Sequence, residues 1–447
     1  MRTCILAAGL SLFLLPSHAQ LTRGFLSGTV QDATGAVVDS VAITITHTAT
    51  GIKRSTVTNE AGIYRFVAVE PGTYTAEFSK AGFESRRVAP IEISTTQEVV
   101  LNQLLGLATV TTTVEVVETP PGVELAKSTP TIGRKLDSSL VELLPTTSFA
   151  RDVTRLALLA PGVVRATGSN EFSANGQRAR NNNFIVDGVD NNDVSVSLPA
   201  ARIIPEMVGE FQVQTASYSA EFGRNTGGQV SVTTKAGTNA LHGEAFDYHA
   251  ANWMEPLSLP EKRGGVTEKP RYVQNQAGGA LGGPVIRDRT FFFALIETNR
   301  RREAPSANNA TVINIPTPEG YAALARVPLN TGQTGQSRQA VLGALGFLPE
   351  IHSQISQYAS VTNVNVNGTP IAVGSARIPL PNPHDFWYGA SRVDHQLTSR
   401  DSLSYRSQVD RRNQPDVTSN LGFGSRWSAA QSILGQSHAM SHTRTLS

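Results

Sequence analysis

Between Ala220 and Asn239 the chain reads AEFGRNTGGQVSVTTKAGTN, a tight glycine corner that leads into a strand of alternating residues and stops at a second turn. Gly223, Gly227 and Gly228 carry no Cβ, so the corner can take positive φ and let backbones approach closely. The rest of the 447 residues follows the same grammar: glycine and proline are plentiful, aromatics are few, and Thr, Val, Asn and Ser fill long stretches. Such residues favour strands and turns over helices. The length suits two to four domains, and the fold expected is mainly β.

Charge selects no partner. With 38 basic residues against 36 acidic ones, no excess remains to recruit nucleic acid or anionic lipid. Met1-Arg2, an apolar run from Ile5 to Leu15 and the small-x-small Ser17-His18-Ala19 before Gln20 have the form of a cleaved secretion signal. The single cysteine, Cys4, lies inside it, so the mature chain is expected to hold no disulfide and no thiolate metal site. No later apolar run approaches the ~20 residues of a membrane helix. Membrane insertion would therefore require a closed barrel, which satisfies its backbone groups internally.

From Gly24 to about Leu105 alternation marks strands. Val41, Ile43 and Ile45 share one face, Ala42, Thr44 and Thr46 the other, and Tyr74, Ala76 and Phe78 repeat the pattern. Turn signals at Asp32-Ala33-Thr34-Gly35, Asn59-Glu60-Ala61-Gly62, Pro71-Gly72 and Ala81-Gly82 space these strands as a small antiparallel sandwich. The stretches SGTVQDATGAVVDSVAI, TNEAGIYRF and PGTYTAEF resemble the carboxypeptidase regulatory-like domain, which is an accessory sandwich of those peptidases and not their catalytic domain. No H-E-x-x-H pattern occurs among the nine histidines, nor a G-x-S-x-G elbow, a Walker loop or a dinucleotide fingerprint. No catalytic residue, cofactor or metal site is expected. Tyr64 and Tyr74 could stack on a sugar, but their period-two positions fit inward core residues better.

Leu107 to Glu118 (LATVTTTVEVVE) is a β-prone strip closed by the breaker Thr119-Pro120-Pro121-Gly122. Beyond it, Leu136, Leu140, Leu143 and Leu144 form an apolar stripe for a short helix that begins near Asp137 and ends at Pro145. A second helix is expected with Ser148 as its N-cap and Phe149, Val153, Leu156 and Ala160 on one face, stopped by Pro161-Gly162. Asn183 to Val186 approaches Asp187-Gly188 and Val189 leaves it, a strong hairpin signal. The run Asp187, Asp190, Asn191, Asn192, Asp193 lacks the closing glutamate of a calcium loop and reads as turn chemistry. Phe211, Val213 and Thr215 alternate with Gln212 and Gln214 in a further strand, which makes this region α+β.

After Asn239, the segments Leu241 to Asn252, Tyr272 to Gly279, Arg289 to Asn299, Trp387 to Leu397 and Leu403 to Val409 read as barrel strands, whose membrane-spanning ideal is roughly 9 to 11 residues. Between Arg300 and Pro383 lies a polar stretch with one helix-like piece, Ser337 to Leu348, expected to be a long outer loop.

In this order, LPTTSFARDVTRLALLAPGV, NGQRARNNNFIVDGVDNND and the Ala220 to Asn239 corner resemble the plug of TonB-dependent outer-membrane receptors of the Oar-like group. The resemblance implies a plan of signal peptide (1–19), sandwich (20–106), linker (107–122), plug (123–239) and the first part of a transmembrane β-barrel (240–447). It also implies uptake of an unidentified ligand, carbohydrate being one candidate, through a barrel set in outer-membrane lipid and driven by the periplasmic partner TonB. Val114, Glu115, Val116 and Val117 then become candidate TonB contacts through edge-to-edge strand pairing, although the same strip reads equally as the sandwich's last strand or an extended linker. Gly223, Gly227 and Gly228 would mark the corner where plug passes into barrel, and Arg178 and Arg180 would hydrogen-bond the barrel wall. Plugged transporters use about 22 strands, whereas the residues after Asn239 can supply roughly eight to ten. The closing HAMSHTRTLS also lacks the family's terminal aromatic strand. The chain is therefore expected to be part of a longer receptor. The alternative is a secreted or surface carbohydrate-binding protein that acts through its sandwich.

Overall fold

The computed structural model describes residues 23–107, 114–116, 123–125, 131–144, 151–166, 171–193, 199–218, 222–263 except 224, 269–303 except 270, 310–379 except 354, 356 and 359, 383–415 and 430–445. The expected signal with Cys4, and also Val117, Ser148 and Phe149, lie outside those residues.

Ten strands build the first unit: β1 (Gly24–Asp32), β2 (Ala42–His47), β3 (Lys53–Val57), β4 (Ile63–Val69), β5 (Gly72–Ser79), β6 (Arg86–Ile93), β7 (Glu98–Leu101), β8 (Gln103–Leu105), β9 (Val114–Val116) and β10 (Val123–Leu125). One sheet has the order β10-β7-β1-β4 with β8 also on β1, and the other β3-β2-β5-β6-β9. Pairing is antiparallel except that β7 and β8 run parallel to β1, and β9 parallel to β6. Period-two alternation sends Leu26, Ile43, Ile45, Tyr64 and Phe78 into one apolar cluster between the sheets. Tyr64 and Phe78 meet edge to face with ring centroids 5.7 Å apart. Tyr64 donates its hydroxyl to the Leu101 carbonyl at 2.7 Å, and Tyr74 to the Glu70 carbonyl at 2.8 Å. Both tyrosines are thus core residues with satisfied hydroxyls, and neither ring presents a face to a sugar. Gly28 has to be glycine, because a Cβ there would strike the Leu101 carbonyl that Tyr64 engages.

The second unit is a mixed sheet with short helical pieces. Its strands are β11 (Ile132–Asp137), β12 (Val163–Arg165), β13 (Phe172–Ala174), β14 (Asn183–Val186), β15 (Val189–Asp190), β16 (Val208–Ala216) and β17 (Gln229–Thr234). The main sheet has the order β11-β16-β17-β14-β15, and β12 pairs with β13. Asp187 at φ 49° and Gly188 at φ 80° close the β14–β15 hairpin, the two positive values a type I′ turn demands. The helix Ser138–Leu143 is capped by Asp137, whose carboxylate accepts from the Leu140 N–H at 2.9 Å. The expected leucine stripe is corrected here: Leu140 and Leu143 are exposed, while Val141 packs inward and Leu136 is buried from β11. A helix of six residues has room for one inward side chain, and the sheet it rests on selects which. The second expected helix is a 3-10 segment, Val153–Leu159, capped by Asp152, which accepts from the Thr154 N–H at 2.9 Å. Val153, Leu156 and Ala160 are buried as the sequence implied.

The third unit is a sheet of long antiparallel strands in the order β18-β19-β20-β24-β25-β26. These are β18 (His242–Ala251), β19 (Tyr272–Ile286), β20 (Thr290–Glu303), and, after an excursion through β21 (Ala310–Pro316), β22 (Ser360–Val366) and β23 (Thr369–Pro379), β24 (His384–Gln396), β25 (Asp401–Pro415) and β26 (Ala430–Arg444). Among the described residues β18 and β26 are its two edges, and the sheet does not close.

Two expectations are corrected in this unit. The stretch Arg300 to Pro383 is not a plain loop: β20 continues to Glu303, and β21-β23-β22 form a separate sheet joined to the helices Pro318–Leu324, Gly335–Ala344 and Leu348–His352. Ile315, Leu348, Ile351 and Ala376 give this excursion its own small core. The closing residues carry a 15-residue strand, β26, where none was expected. Its alternation is hidden because the inward partners are as small as Gly435, opposite Asp410, while Leu434 and Met440 face outward. Short turns join β19 to β20 and β24 to β25 at one end of the sheet, and the long connections lie at the other.

Candidate functional site

One face of the long-stranded sheet packs on the plug-like sheet, and the other is exposed and carries large apolar side chains across β19, β20 and β24. Along β20, Phe291, Phe293, Leu295, Glu297 and Asn299 are buried while Ile296 between them is 52% exposed. Ile296, Leu281, Val285, Trp387 and Val393 all point away from the second unit. On the inner side Ala280, Phe293, Leu295, Tyr388 and Ala390 join the core of the second unit as a single apolar cluster with Phe184, Phe211 and Val232. Burying each large side chain in such a core contributes about 1.5–3 kcal/mol.

Polar groups fix the register of this contact. Asp187, at the hairpin tip, accepts from the Thr234 N–H at 2.9 Å and the Thr234 hydroxyl at 2.8 Å. It also faces Arg392 of β24 at 3.4 Å and Arg406 of β25 at 3.2 Å. Arg392 forks onto Asp394 at 2.9 and 3.0 Å and donates to the Thr234 carbonyl at 3.0 Å. One carboxylate thereby ties two barrel strands to the end of β17 through charge-assisted contacts. Nearer the other end, Tyr388 donates to Met207 Sδ at 2.7 Å and accepts from Gln408 at 2.8 Å.

A second charged cluster lies beside it. Arg151 pairs with buried Glu206 at 2.6 Å, Tyr248 of β18 donates to the same carboxylate at 3.2 Å, and the Arg151 guanidinium stands 4.0 Å from the centre of the Tyr248 ring. Arg202 faces Glu297 of β20 at 3.8 Å and lies over the rings of Phe386 and Tyr388. Inner-wall aromatics and carboxylates thus receive the arginines of the second unit, and the wall's own arginines receive Asp187.

Arg178 and Arg180, the arginines singled out from sequence, stand exposed around the 3-10 turn Ala179–Asn181. Among the described residues, arginines that bridge the two units include Arg151, Arg202, Arg392 and Arg406. Local sequence gave these no distinguishing mark, since their partners lie in distant segments. Asp187 was legible as a turn residue, and its charge is what the wall reads.

The three glycines fall just before β17. A Cβ on Gly227 would lie 2.6 Å from Asn182 Oδ1 and 2.8 Å from the Asn181 carbonyl oxygen, so close approach is its role. Gly228 packs on Ala174 and Phe172, Gly223 is exposed with open space, and none of the three has positive φ. The chain passes into β18 later, beyond Thr234, where a Cβ on Gly237 would strike the carbonyl oxygens of Phe292 and Gly283. Val114, Glu115 and Val116 form β9, the last strand of its sheet, paired with β6 from Arg86 to Val88. Its other edge is unpaired among the described residues.

The front sandwich meets both other units. Its loop Ser94 to Gln97 reaches the underside of the second unit, where Thr95 N–H donates to Glu210 at 3.1 Å and the Thr95 and Thr233 hydroxyls lie 2.9 Å apart. Burial raises the Glu210 carboxyl above the usual range, and the nearby Lys135 charge and the Thr95 hydrogen bonds offset part of that shift.

The description "Carboxypeptidase regulatory-like domain" matches residues 26–106, and "Outer membrane beta barrel domain" matches residues 233–447. The TonB-dependent transporter Oar of Myxococcus xanthus is 30% identical over 305 residues, which cover 65% of this chain. The chain spans 28% of that relative's length. Solved structures with slight likeness include the siderophore receptor PirA from Acinetobacter baumannii (13% identity, TM-score 0.40, covering 69% of this chain and 37% of that one). The outer membrane transporter YddB from Escherichia coli is comparable (14% identity, TM-score 0.35, 63% and 39% covered). The chain is therefore a homologue of the TonB-dependent transporter Oar that carries a carboxypeptidase regulatory-like domain ahead of strands of the outer-membrane β-barrel type.

Proposed function

We propose that this chain is the front part of an outer-membrane receptor that takes up an unidentified ligand through a plugged β-barrel, with the energy supplied through TonB. The observation that supports this most is the shared core: a small mixed sheet fills the inner side of strands whose outer side carries large apolar side chains across β19, β20 and β24. That arrangement suits a plug in a lipid-facing wall. A plug held by apolar packing and by the Asp187 contacts does not leave by thermal motion, so passage of a ligand needs work from a partner.

In this reading residues 20–106, 107–122, 123–239 and 240–447 are sandwich, linker, plug and incomplete barrel, with β9 of the linker and β10 at the plug's start adding on to the two sandwich sheets. The unpaired edges of β18 and β26 would each leave backbone groups in lipid at a cost of several kcal/mol per group. Further strands from a longer chain would remove that cost. Short turns of such barrels face the periplasm, which puts the sandwich on the periplasmic side. β9 offers TonB an edge for strand addition through Val114 to Val116. Gly227 keeps the chain tight on Asn181 as it runs toward the barrel, and Arg178 and Arg180 would meet wall strands outside the six described. The work is mechanical and no step is catalytic.

The test is cross-linking of TonB to the natural full-length protein in cells. Val116→Pro removes a backbone donor from β9 and is expected to abolish the cross-link while leaving the protein in the outer membrane. An unchanged cross-link contradicts the assignment of β9.

A further inference from the structure

The sandwich touches two bodies that a transporter must move relative to each other. Toward the plug, Thr95 reaches Glu210 and Thr233, Thr96 donates to Gln212 at 3.2 Å and accepts from Gln214 at 3.4 Å, and Lys135 bonds Ser94. Toward the barrel rim, Asn239 donates from its backbone to the Ala49 carbonyl at 2.9 Å and from its side chain to the Thr50 carbonyl at 2.7 Å. The same side chain holds Asp288, in the β19–β20 turn, at 2.7 and 2.9 Å. Arg54 adds a bond to Thr445, just past β26, at 3.1 Å.

These contacts differ in kind from the plug's hold on the wall. Plug and wall share one apolar cluster, and the sandwich keeps its own, with no side chain common to the two. The sandwich is therefore docked at its two ends by polar contacts, the hydrogen bonds above and the attraction of Glu70 for Arg392 of the wall, and polar interfaces of this kind are where units separate first. The strand order adds a direction. β9 is paired in parallel with β6, and β6 runs straight into the loop Ser94 to Gln97 that grips the plug sheet.

We propose that the sandwich is a releasable latch: it ties the plug sheet to the barrel rim through Thr95 and Asn239, and a pull on β9 lifts it off both before the plug moves. The proposal rests on the TonB reading of β9. Load on β9 passes to β6 by shear across their hydrogen bonds. It then reaches the Ser94 to Gln97 loop, so the polar contacts to β16, β17 and the rim part while the apolar plug core is still intact.

The experiment uses the natural full-length protein in cells, in a Cys4→Ser background, with Thr95→Cys as a reporter. Thr95 is 2% exposed, so a membrane-permeant maleimide labels it only when the sandwich lifts. Labelling is expected to be at least tenfold faster in cells with TonB than in cells lacking it. Arg54→Ala combined with Asn239→Ala is expected to speed labelling severalfold without TonB. Thr233→Cys, across the same contact, is the second reporter should Thr95→Cys not assemble. If TonB cross-links to the parent protein yet both reporters stay equally protected with and without it, the latch is overturned and the transporter reading stands. If TonB does not cross-link to the parent at all, the transporter reading fails and takes the latch with it.

Discussion

Asp187 and Arg392, 205 residues apart in the chain, meet with a carboxylate oxygen 3.4 Å from a guanidinium nitrogen, at the point where a plug hairpin touches the barrel wall. Arg406 closes on the other oxygen of the same carboxylate. The relationship makes a turn residue into the anchor of a domain interface.

Asp187→Asn isolates the charge in that role. Asparagine tolerates positive φ as well as aspartate does, so the turn survives, but Arg406, only 3% exposed, loses its opposing charge. Breaking a buried pair on one side costs about 3–5 kcal/mol. The plug is expected to become protease-sensitive at lower urea concentration while the barrel keeps its heat-modifiable migration. Unchanged sensitivity would show that the apolar core alone retains the plug.

Phe78→Ala tests the sandwich core. Phe78 is fully buried and meets Tyr64 edge to face, and removal of such a ring costs about 3–5 kcal/mol. Limited proteolysis of the variant should cut first within residues 24–105, with the plug and wall retained, because the two apolar clusters are separate.

Gly227→Ala probes the close approach at Asn181 and Asn182. The added methyl meets a backbone oxygen that cannot rotate away, and overpacking of this kind costs about 1–3 kcal/mol. The same change at Gly223, which faces open space, should leave stability nearly unaltered. Equal unfolding midpoints for the two variants would contradict the packing described.

Part of the pH dependence of stability follows from Glu210. Its folded carboxyl is raised by burial, so the native state holds a proton that the free group releases between the ordinary glutamate range and the raised value. This contribution to folding stability is therefore fully present below that window and is lost as pH rises through it. Glu210→Gln keeps an acceptor for the Thr95 N–H and removes the titration, which should flatten this part of the stability profile. Urea unfolding midpoints measured across pH read the effect, and a parallel profile for parent and variant contradicts it.

Features set by a few adjacent residues were legible. The Asp187-Gly188 turn depends on local φ, the Asp137 cap on a donor three residues on, and the sandwich faces on simple alternation. The helix stripe was misread because six residues expose more than one plausible apolar face, and β16 beside it decided for Val141. β26 escaped notice because its inward positions from Gly435 to Ser441 are Gly, Ser and Ala, which carry no hydrophobic period. The excursion strand β22, SVTNVNV, is exposed throughout and alternates only weakly. The site itself was least legible, since the partners of Asp187, Arg151 and Arg202 are set by strand register over distances that no local pattern encodes.

The most direct test of the account is an immunoblot of fractionated native cells with antibody raised against residues 24–105. A heat-modifiable band in the outer membrane, above the mass of 447 residues, is the result predicted for a plugged receptor of which this chain is the front part. A band at the mature mass of this chain in the soluble periplasm or the medium would contradict it, and would favour a secreted protein in which the six strands never meet lipid.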